Sequence, residues 1–225
     1  MKNALLFFCL AALGMPSLAQ QISISYGRLF SSFDYRDSEG NSLAGLSGTS
    51  NNALSFGYRS ALTSGKWYFN SGLSLNRYGA RGSDPVQGNY YEWEVSYLGA
   101  NVGIDFEFFG QQNFFANQDG FYFYVKGAIS TEFMFQGTQR INSQLYDLKR
   151  VEQFDKPVFF LRGGVGANYC VSRRLVVFLQ YMVGKSFLIF GTSSGDNEKL
   201  RYNSHEVGFG LLLNLVNCTY CNRVF

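Results

Sequence analysis

The chain has 225 residues, 46% of them hydrophobic and 16% charged, with a formal net charge of +3. So slight a charge argues against nucleic acid or a strongly acidic partner, and so apolar a composition argues against intrinsic disorder. Mean hydropathy is −0.07, and no internal stretch reaches about 18 uninterrupted apolar residues, which excludes helical membrane spans.

The first residues are laid out as a cleavable export signal. Lys2 is the charged start, residues 4–12 form the apolar core, and Ser17-Leu18-Ala19 fits the small-x-small cleavage rule. The apolar run is shorter than the ~20 residues that a bilayer span needs. We therefore expect a signal peptide over 1–19, a folded body over 20–217 and a short tail over 218–225. The body is rich in Phe (23), Tyr (15) and Gly (25) and poor in Pro (3), a usage that suits antiparallel strands.

Alternation of large apolar with small or polar residues predicts eight strands, at 21–34, 52–63, 66–79, 90–108, 120–136, 157–171, 174–190 and 204–217. In the second, Leu54, Phe56, Tyr58 and Leu62 oppose Ala53, Ser55, Gly57, Arg59 and Ala61. In the third, Trp67, Phe69, Leu73 and Leu75 oppose Tyr68, Asn70, Gly72, Ser74 and Asn76. The fourth is the cleanest, with Leu98, Ala100, Val102, Ile104, Phe106 and Phe108 against Gly99, Asn101, Gly103, Asp105 and Glu107. The eighth sets Val207, Phe209, Leu211, Leu213 and Leu215 against Glu206, Gly208, Gly210, Leu212 and Asn214.

The connections alternate in length. Tight or medium turns at 63–66, 110–120 and 172–174 interleave with long loops at 35–51, 80–89, 137–157 and 191–203. Long loops on one side and short turns on the other, with an even strand number, predict an all-β, eight-stranded antiparallel up-and-down transmembrane β-barrel in an outer membrane. Eight strands leave room inside only for packed side chains, so the small and polar face points inward and the large apolar face meets lipid. A soluble lipocalin-type barrel would show the reverse. Trp67, Tyr68, Phe108, Phe109, Phe121 and Tyr169 are expected at the periplasmic rim, and Tyr90, Tyr91, Trp93, Phe133, Phe135, Phe187 and Phe190 at the outer rim.

Strand number, loop alternation and size resemble the OmpA/OmpX-type eight-stranded barrels. The Phe/Tyr/Asn-rich strands are most similar to the Bacteroidota outer membrane β-barrel domain group that includes PorT-like proteins. Glu206-x-Gly208-x-x-Leu211-x-Leu213 resembles the signal by which the barrel assembly machinery reads a last strand, although here residues 216–225 follow it. The resemblance implies outer-membrane lipid and the assembly machinery as partners, and a protein partner in an envelope or secretion complex.

Candidate chemistry is sparse. Arg59, Asp105, Glu107, Lys126, Glu132, Arg162 and Glu206 fall on inward faces, with Asp105 expected nearly opposite Lys126 and Glu132 near Arg162. Buried charges need partners, so these read as a salt-bridged filling of the lumen, with a narrow ion path as the alternative. His205 is the single histidine. It raises the alternative of a lipid-A-modifying hydrolase, but Ser204 and His205 are adjacent on a strand and point to opposite faces. Cys170, Cys218 and Cys221 remain after the signal, an odd number in an oxidising compartment. A disulfide tying the tail to the barrel, or within the tail, is expected. Cys218-x-x-Cys221 has no second cysteine pair, and His205 is too distant along the strand for a zinc site. No metal or cofactor motif is present. The expectation is an outer-membrane barrel without catalytic activity, acting in envelope structure, through surface loops or as a complex subunit.

Overall fold

A computed structural model describes residues 20–36, 46–63, 66–84, 89–108, 121–149, 156–172, 174–187 and 199–215. The expected signal peptide and tail, with Cys218 and Cys221, lie outside these residues, as do Phe109 and Phe190. The alternating runs form nine strands: β1 (Gln20–Arg36), β2 (Ser47–Thr63), β3 (Trp67–Asp84), β4 (Asn89–Phe108), β5 (Phe121–Ile141), β6 (Gln144–Asp147), β7 (Val158–Cys170), β8 (Leu175–Phe187) and β9 (Lys199–Asn214).

Eight of them close into an antiparallel up-and-down ring. Each is paired with its chain neighbour, β5 continues to β7, and β1 pairs with β9 to seal the seam. The seam carries a buried side-chain bond, in which Gln21 Nε2 donates to Asn214 Oδ1 at 2.7 Å. The start of β1 and the end of β9 therefore lie at one end of the barrel, the terminal end, with the β2–β3, β4–β5 and β7–β8 connections. The other connections lie at the opposite, loop end. The β4–β5 connection, residues 109–120, is as long as those of the loop end.

The largest differences from expectation are extensions, although β8 ends at Phe187 rather than 190 and β9 at Asn214 rather than 217. β2 begins at Ser47 rather than 52, β3 runs to Asp84 rather than 79, β5 to Ile141 rather than 136, and β9 begins at Lys199 rather than 204. Every one of these extensions is at the loop end. The stretch expected to be a long loop from 137 to 157 also holds a ninth strand, since β5 turns back at Asn142 into β6. Asn142 has a φ of 53°, a conformation that asparagine tolerates better than most residues. Its backbone N–H donates to Tyr90 O (2.8 Å), and its Oδ1 accepts from Tyr90 N–H (2.9 Å). The hairpin is thereby pinned to the start of β4.

The reason for the extensions is that the face polarity inverts along the strands. In the terminal-end part of β3 the outward residues are Trp67, Phe69, Leu73 and Leu75, and the inward ones are Asn70, Ser74 and Asn76. Beyond Asn76 the outward residues are Arg77 and Arg81, while Tyr78 and Ala80 are inward and fully buried. β4 does the same, with Leu98, Val102 and Ile104 outward below, and Glu92 and Glu94 outward above a buried Val95 and Tyr97. In β9 the outward series changes at His205, while in β1 Arg28 interrupts it and an exposed Phe30 follows. β5 keeps its faces aligned by a bulge that leaves Phe135 and Gln136 both exposed.

The barrel thus has two levels. The lower one wears apolar side chains outside and, inside, polar ones together with a buried apolar patch of Cys170, Val176, Phe178 and Leu212. The upper one wears charges outside and a hydrophobic core inside, made of Leu29, Phe33, Tyr78, Val95, Tyr97, Leu148, Phe160 and Tyr202 among others.

Candidate functional site

The lumen is the place where this fold gathers its polar chemistry, and it is filled in three layers. Nearest the terminal end is a cluster around Arg59. Its Nε donates to Asp105 Oδ2 (2.8 Å), its Nη1 to Gln21 Oε1 (2.8 Å) and its Nη2 to Glu107 Oε1 (2.9 Å). The guanidinium also lies over the Tyr68 ring at 3.6 Å from the centroid. Asn70 donates to the second oxygen of Asp105 at 2.8 Å. Asp105 and Lys126 are direct cross-strand partners, with Nζ 3.9 Å from Oδ1. Each acceptor here is met by a donor from a different strand, which is what a buried ion cluster requires to be tolerated.

The second layer is centred on Glu132, whose side chain is fully buried. Its Oε1 accepts from Asn76 Nδ2 (2.9 Å), Ser130 Oγ (3.2 Å) and Arg162 Nη2, and its Oε2 accepts from Tyr78 O–H (2.7 Å). Arg162 also donates to Tyr78 Oη at 2.6 Å and lies 3.9 Å from Glu206 Oε2. Glu132 and Arg162 are offset by four residues in the β5–β7 register, where Ala128 faces Arg162. Only the length of the Arg162 side chain brings them together.

The third layer is aromatic. Tyr78, Phe160 and Tyr202 pack with ring centroids 5.3–6.1 Å apart, and Tyr97 shares a hydroxyl bond of 3.0 Å with Tyr202. Leu148, just beyond β6, folds over this layer and is anchored by its N–H to Gly137 O at 3.0 Å. The expectation that large residues belong only on the outer face therefore fails, at Tyr68, Tyr124, Val176, Phe178 and Leu212 in the lower level and throughout the upper level. There the outside is polar, so large apolar side chains are driven inward. Tyr68 is likewise corrected from the rim to the interior, where it supports Arg59. Trp93 is also inward, packed against the upper core.

Beside the Arg59 cluster lies a cavity of about 50 Å³, lined by Ser23, Ser25, Lys126, Asn168 and Gln180 among others. Its size and polar lining suit ordered water. Asn168 Oδ1 is buried there without a hydrogen-bond partner in the structure.

The other expected sites fall as follows. His205 is exposed on the outer wall, with Nδ1 2.8 Å from Tyr181 Oη, while Ser204 is buried in the lumen and bonds Gly184 O. No serine stands beside His205 as a nucleophile among the described residues. Cys170, at the terminal end of β7, is disulfide-bonded, and its partner lies outside the described residues. Of the residues in the assembly signal, Glu206 and Gly208 face the lumen, while Leu211 and Leu213 face outward. Trp67, Phe121 and Tyr169 form an exposed aromatic edge at the terminal end, and Tyr90, Phe133, Phe135 and Phe187 are exposed towards the loop end. Among the described residues no group of three His, Cys, Asp or Glu could hold a metal ion.

No protein-family model matches the chain, and no curated protein matches it. Among solved structures, the outer membrane protein AlkL, studied in lipid bilayers, aligns with a TM-score of 0.47 at 12% identity, covering 91% of this chain and 94% of AlkL. OprG from Pseudomonas aeruginosa aligns with a TM-score of 0.45 at 13% identity, covering 87% and 96%. Neisserial surface protein A aligns with a TM-score of 0.44 at 10% identity, covering 84% and 96%. At such identities no activity or ligand carries over from them.

Proposed function

We propose that this protein is an integral outer-membrane β-barrel whose lower level spans the lipid and whose upper level stands in water outside the cell. The observation that carries the reading is the inversion of face polarity. A wall that is apolar from Trp67 to Leu75 on β3, and likewise from Leu54 to Leu62 on β2, spans about 9 residues, or about 23 Å at ~3.3 Å per residue and a tilt near 40°. That is the height of the apolar band of outer-membrane barrels. Above it the same strands switch to the pattern of a soluble barrel, so the switch marks the membrane surface. Impermeant maleimide labelling of intact cells tests it. Arg81→Cys should label and Val102→Cys should not; labelling of both, or of Val102→Cys alone, refutes the placement.

The role is non-catalytic and structural or adaptor-like, as in the PorT-like group, with the upper level and its hairpin as the surface offered to a partner in the envelope. Three packed layers across the lumen support a closed barrel rather than a pore. The split of Ser204 and His205 onto opposite faces speaks against a hydrolase centred on His205. A native pull-down from outer membranes should recover a stoichiometric partner, and recovery of the barrel alone refutes the subunit role. A His205→Ala strain should keep its lipid-A profile; a changed profile would restore the enzyme reading.

A further inference from the structure

Cys170 is disulfide-bonded and buried, and it closes β7 at the terminal end of the barrel. The chain has four cysteines, Cys9, Cys170, Cys218 and Cys221, and all but Cys170 lie outside the described residues. Around Cys170 is an inward apolar patch of Val176, Phe178 and Leu212, with Tyr122 packed against it. Val176 is the second residue of β8, so it and Cys170 stand on the outermost inward ring of their strands. Side chains at an open mouth would meet solvent, yet these two are only 3% and 4% exposed. Gln21, Leu212 and Asn214, near the same rim, are buried as well. The mouth is therefore covered on this side.

The register shows which segment is close enough to be the cover. Cys170 is opposite Val176, and Val176 is opposite Leu212. β9 thus delivers residues 216–225 two strands from Cys170, beside the patch to which Leu212 belongs. Leu215 stands two strands and three residues from Cys170, about 14 Å at ~4.8 Å per strand and ~3.3 Å per residue. Three extended residues span about 10 Å and six about 20 Å, and a disulfide joins Cα atoms roughly 4.4–6.8 Å apart. Cys218 reaches Cys170 along a straight path, and Cys221 reaches it with slack. Cys9 lies in the expected signal peptide and would approach from β1, one strand farther off. Val216, Tyr220, Val224 and Phe225 give the segment after β9 apolar side chains to lay on the patch.

We propose that residues 216–225 cap the terminal mouth of the barrel, fastened to Cys170 through one cysteine of Cys218-x-x-Cys221, and that the other cysteine releases the cap by thiol–disulfide exchange. The second tail cysteine, as thiolate, attacks the tail sulfur of the bond to Cys170. A Cys218–Cys221 bond forms, the bond to Cys170 breaks, and Cys170 leaves as a thiolate. One disulfide replaces another, so no oxidant or reductant is consumed. Release uncovers Val176, Phe178 and Leu212 at a mouth that was closed. Neither step depends on where the membrane lies.

The test uses the folded full chain, purified in neutral-detergent micelles without reductant. Thiols are blocked with N-ethylmaleimide in acid, which halts exchange, and tryptic peptides are mapped unreduced by mass spectrometry. The peptide carrying Cys170 should be joined to the one carrying Cys218 and Cys221. Chymotryptic cleavage after Tyr220 then tells which of the two holds it. Bonding of Cys170 to Cys9, or Cys170 recovered wholly blocked, overturns the cap. Next, the unbonded tail cysteine is replaced, as Cys218→Ser or Cys221→Ser. Held at mildly alkaline pH before the acid step, the unsubstituted chain should give at least about tenfold more blocked Cys170 than this variant. Equal amounts overturn the exchange. Trypsin should cut after Arg223 at least about tenfold faster in Cys170→Ser, and in the reduced unsubstituted chain, than in the disulfide-bonded one. Equal rates in barrels shown to be folded by gel shift overturn the docking of the segment.

Discussion

Arg59 offers the sharpest test of how the lumen is held together. Its guanidinium makes three directed bonds of 2.8–2.9 Å to three acceptors on two strands and covers the Tyr68 ring. Its side chain is only 5% exposed and that of Asp105 3%. Arg59→Met would leave Asp105 and Glu107 facing each other in the interior. Only Lys126 at 3.9 Å and the amides of Asn70 and Asn168 would remain to answer them. Breaking a buried pair in this way costs about 3–5 kcal/mol, because the stranded charge stays desolvated. Arg59→Lys keeps the charge but cannot reach three acceptors from one ammonium. Losing part of a set of charge-assisted bonds worth ~1.5–3 kcal/mol each should cost about 2–4 kcal/mol. Adding Asp105→Asn to Arg59→Met should recover at least about 1 kcal/mol, since one of the two stranded charges is then gone. Urea unfolding in micelles, followed by tryptophan fluorescence and by the gel shift between folded and unfolded barrel, measures all three. If Arg59→Met lies within about 1 kcal/mol of the unsubstituted chain, the cluster does not stabilise the barrel as argued.

A Cβ at Gly166 would fall 2.3 Å from the Tyr124 ring, whereas one at Gly127 meets nothing within 4 Å. Gly166→Ala should cost about 1–3 kcal/mol by overpacking, with Gly127→Ala near neutral in the same unfolding assay. Val102 is exposed in the middle of the apolar band of β4, so Val102→Arg should destabilise the folded barrel by about 2–4 kcal/mol in bilayers, and Leu98→Arg, at the band's edge, by about 0–1 kcal/mol. With Glu132, Arg162 and the tyrosine layer closing the lumen, the purified protein should show no sustained conductance in planar bilayers. Regular single-channel steps would contradict the packing described.

All eight ring strands were legible in the sequence, because where the outer face is apolar and the filling polar, each residue's position is written in its polarity. The direct Asp105–Lys126 pairing followed from counting residues through one turn. What escaped was the upper level. Tyr78, Val95 and Tyr97 fall inside the expected third and fourth strands and continue the inward parity of Asn76 and Gly99, but their chemistry belongs to the opposite rule, so they were not read as a lumen-facing layer. The signal was present in the outward partners: Arg77 and Arg81 alternate with Tyr78 and Ala80 as strictly as Leu73 and Leu75 alternate with Ser74 and Asn76. A rule that assumes one solvent along a strand stops at the point where the solvent changes. The offset contact between Glu132 and Arg162 was foreseen as an approach, whereas the tyrosines that share it were not. Those depend on how a tilted strand sets its upper residues over the lumen.

The seam between β1 and β9 joins Gln21 to Asn214, 193 positions apart. Until the final sixteen-residue strand arrives, the other seven have two raw edges and an apolar wall without a closed backbone to carry it, and such edges invite other chains. Closing so long a loop is entropically late and slow. The molecule therefore has no useful half-built form. Its lifetime before closure is its most vulnerable interval, and any escort for the chain must hold it until β9 has been delivered.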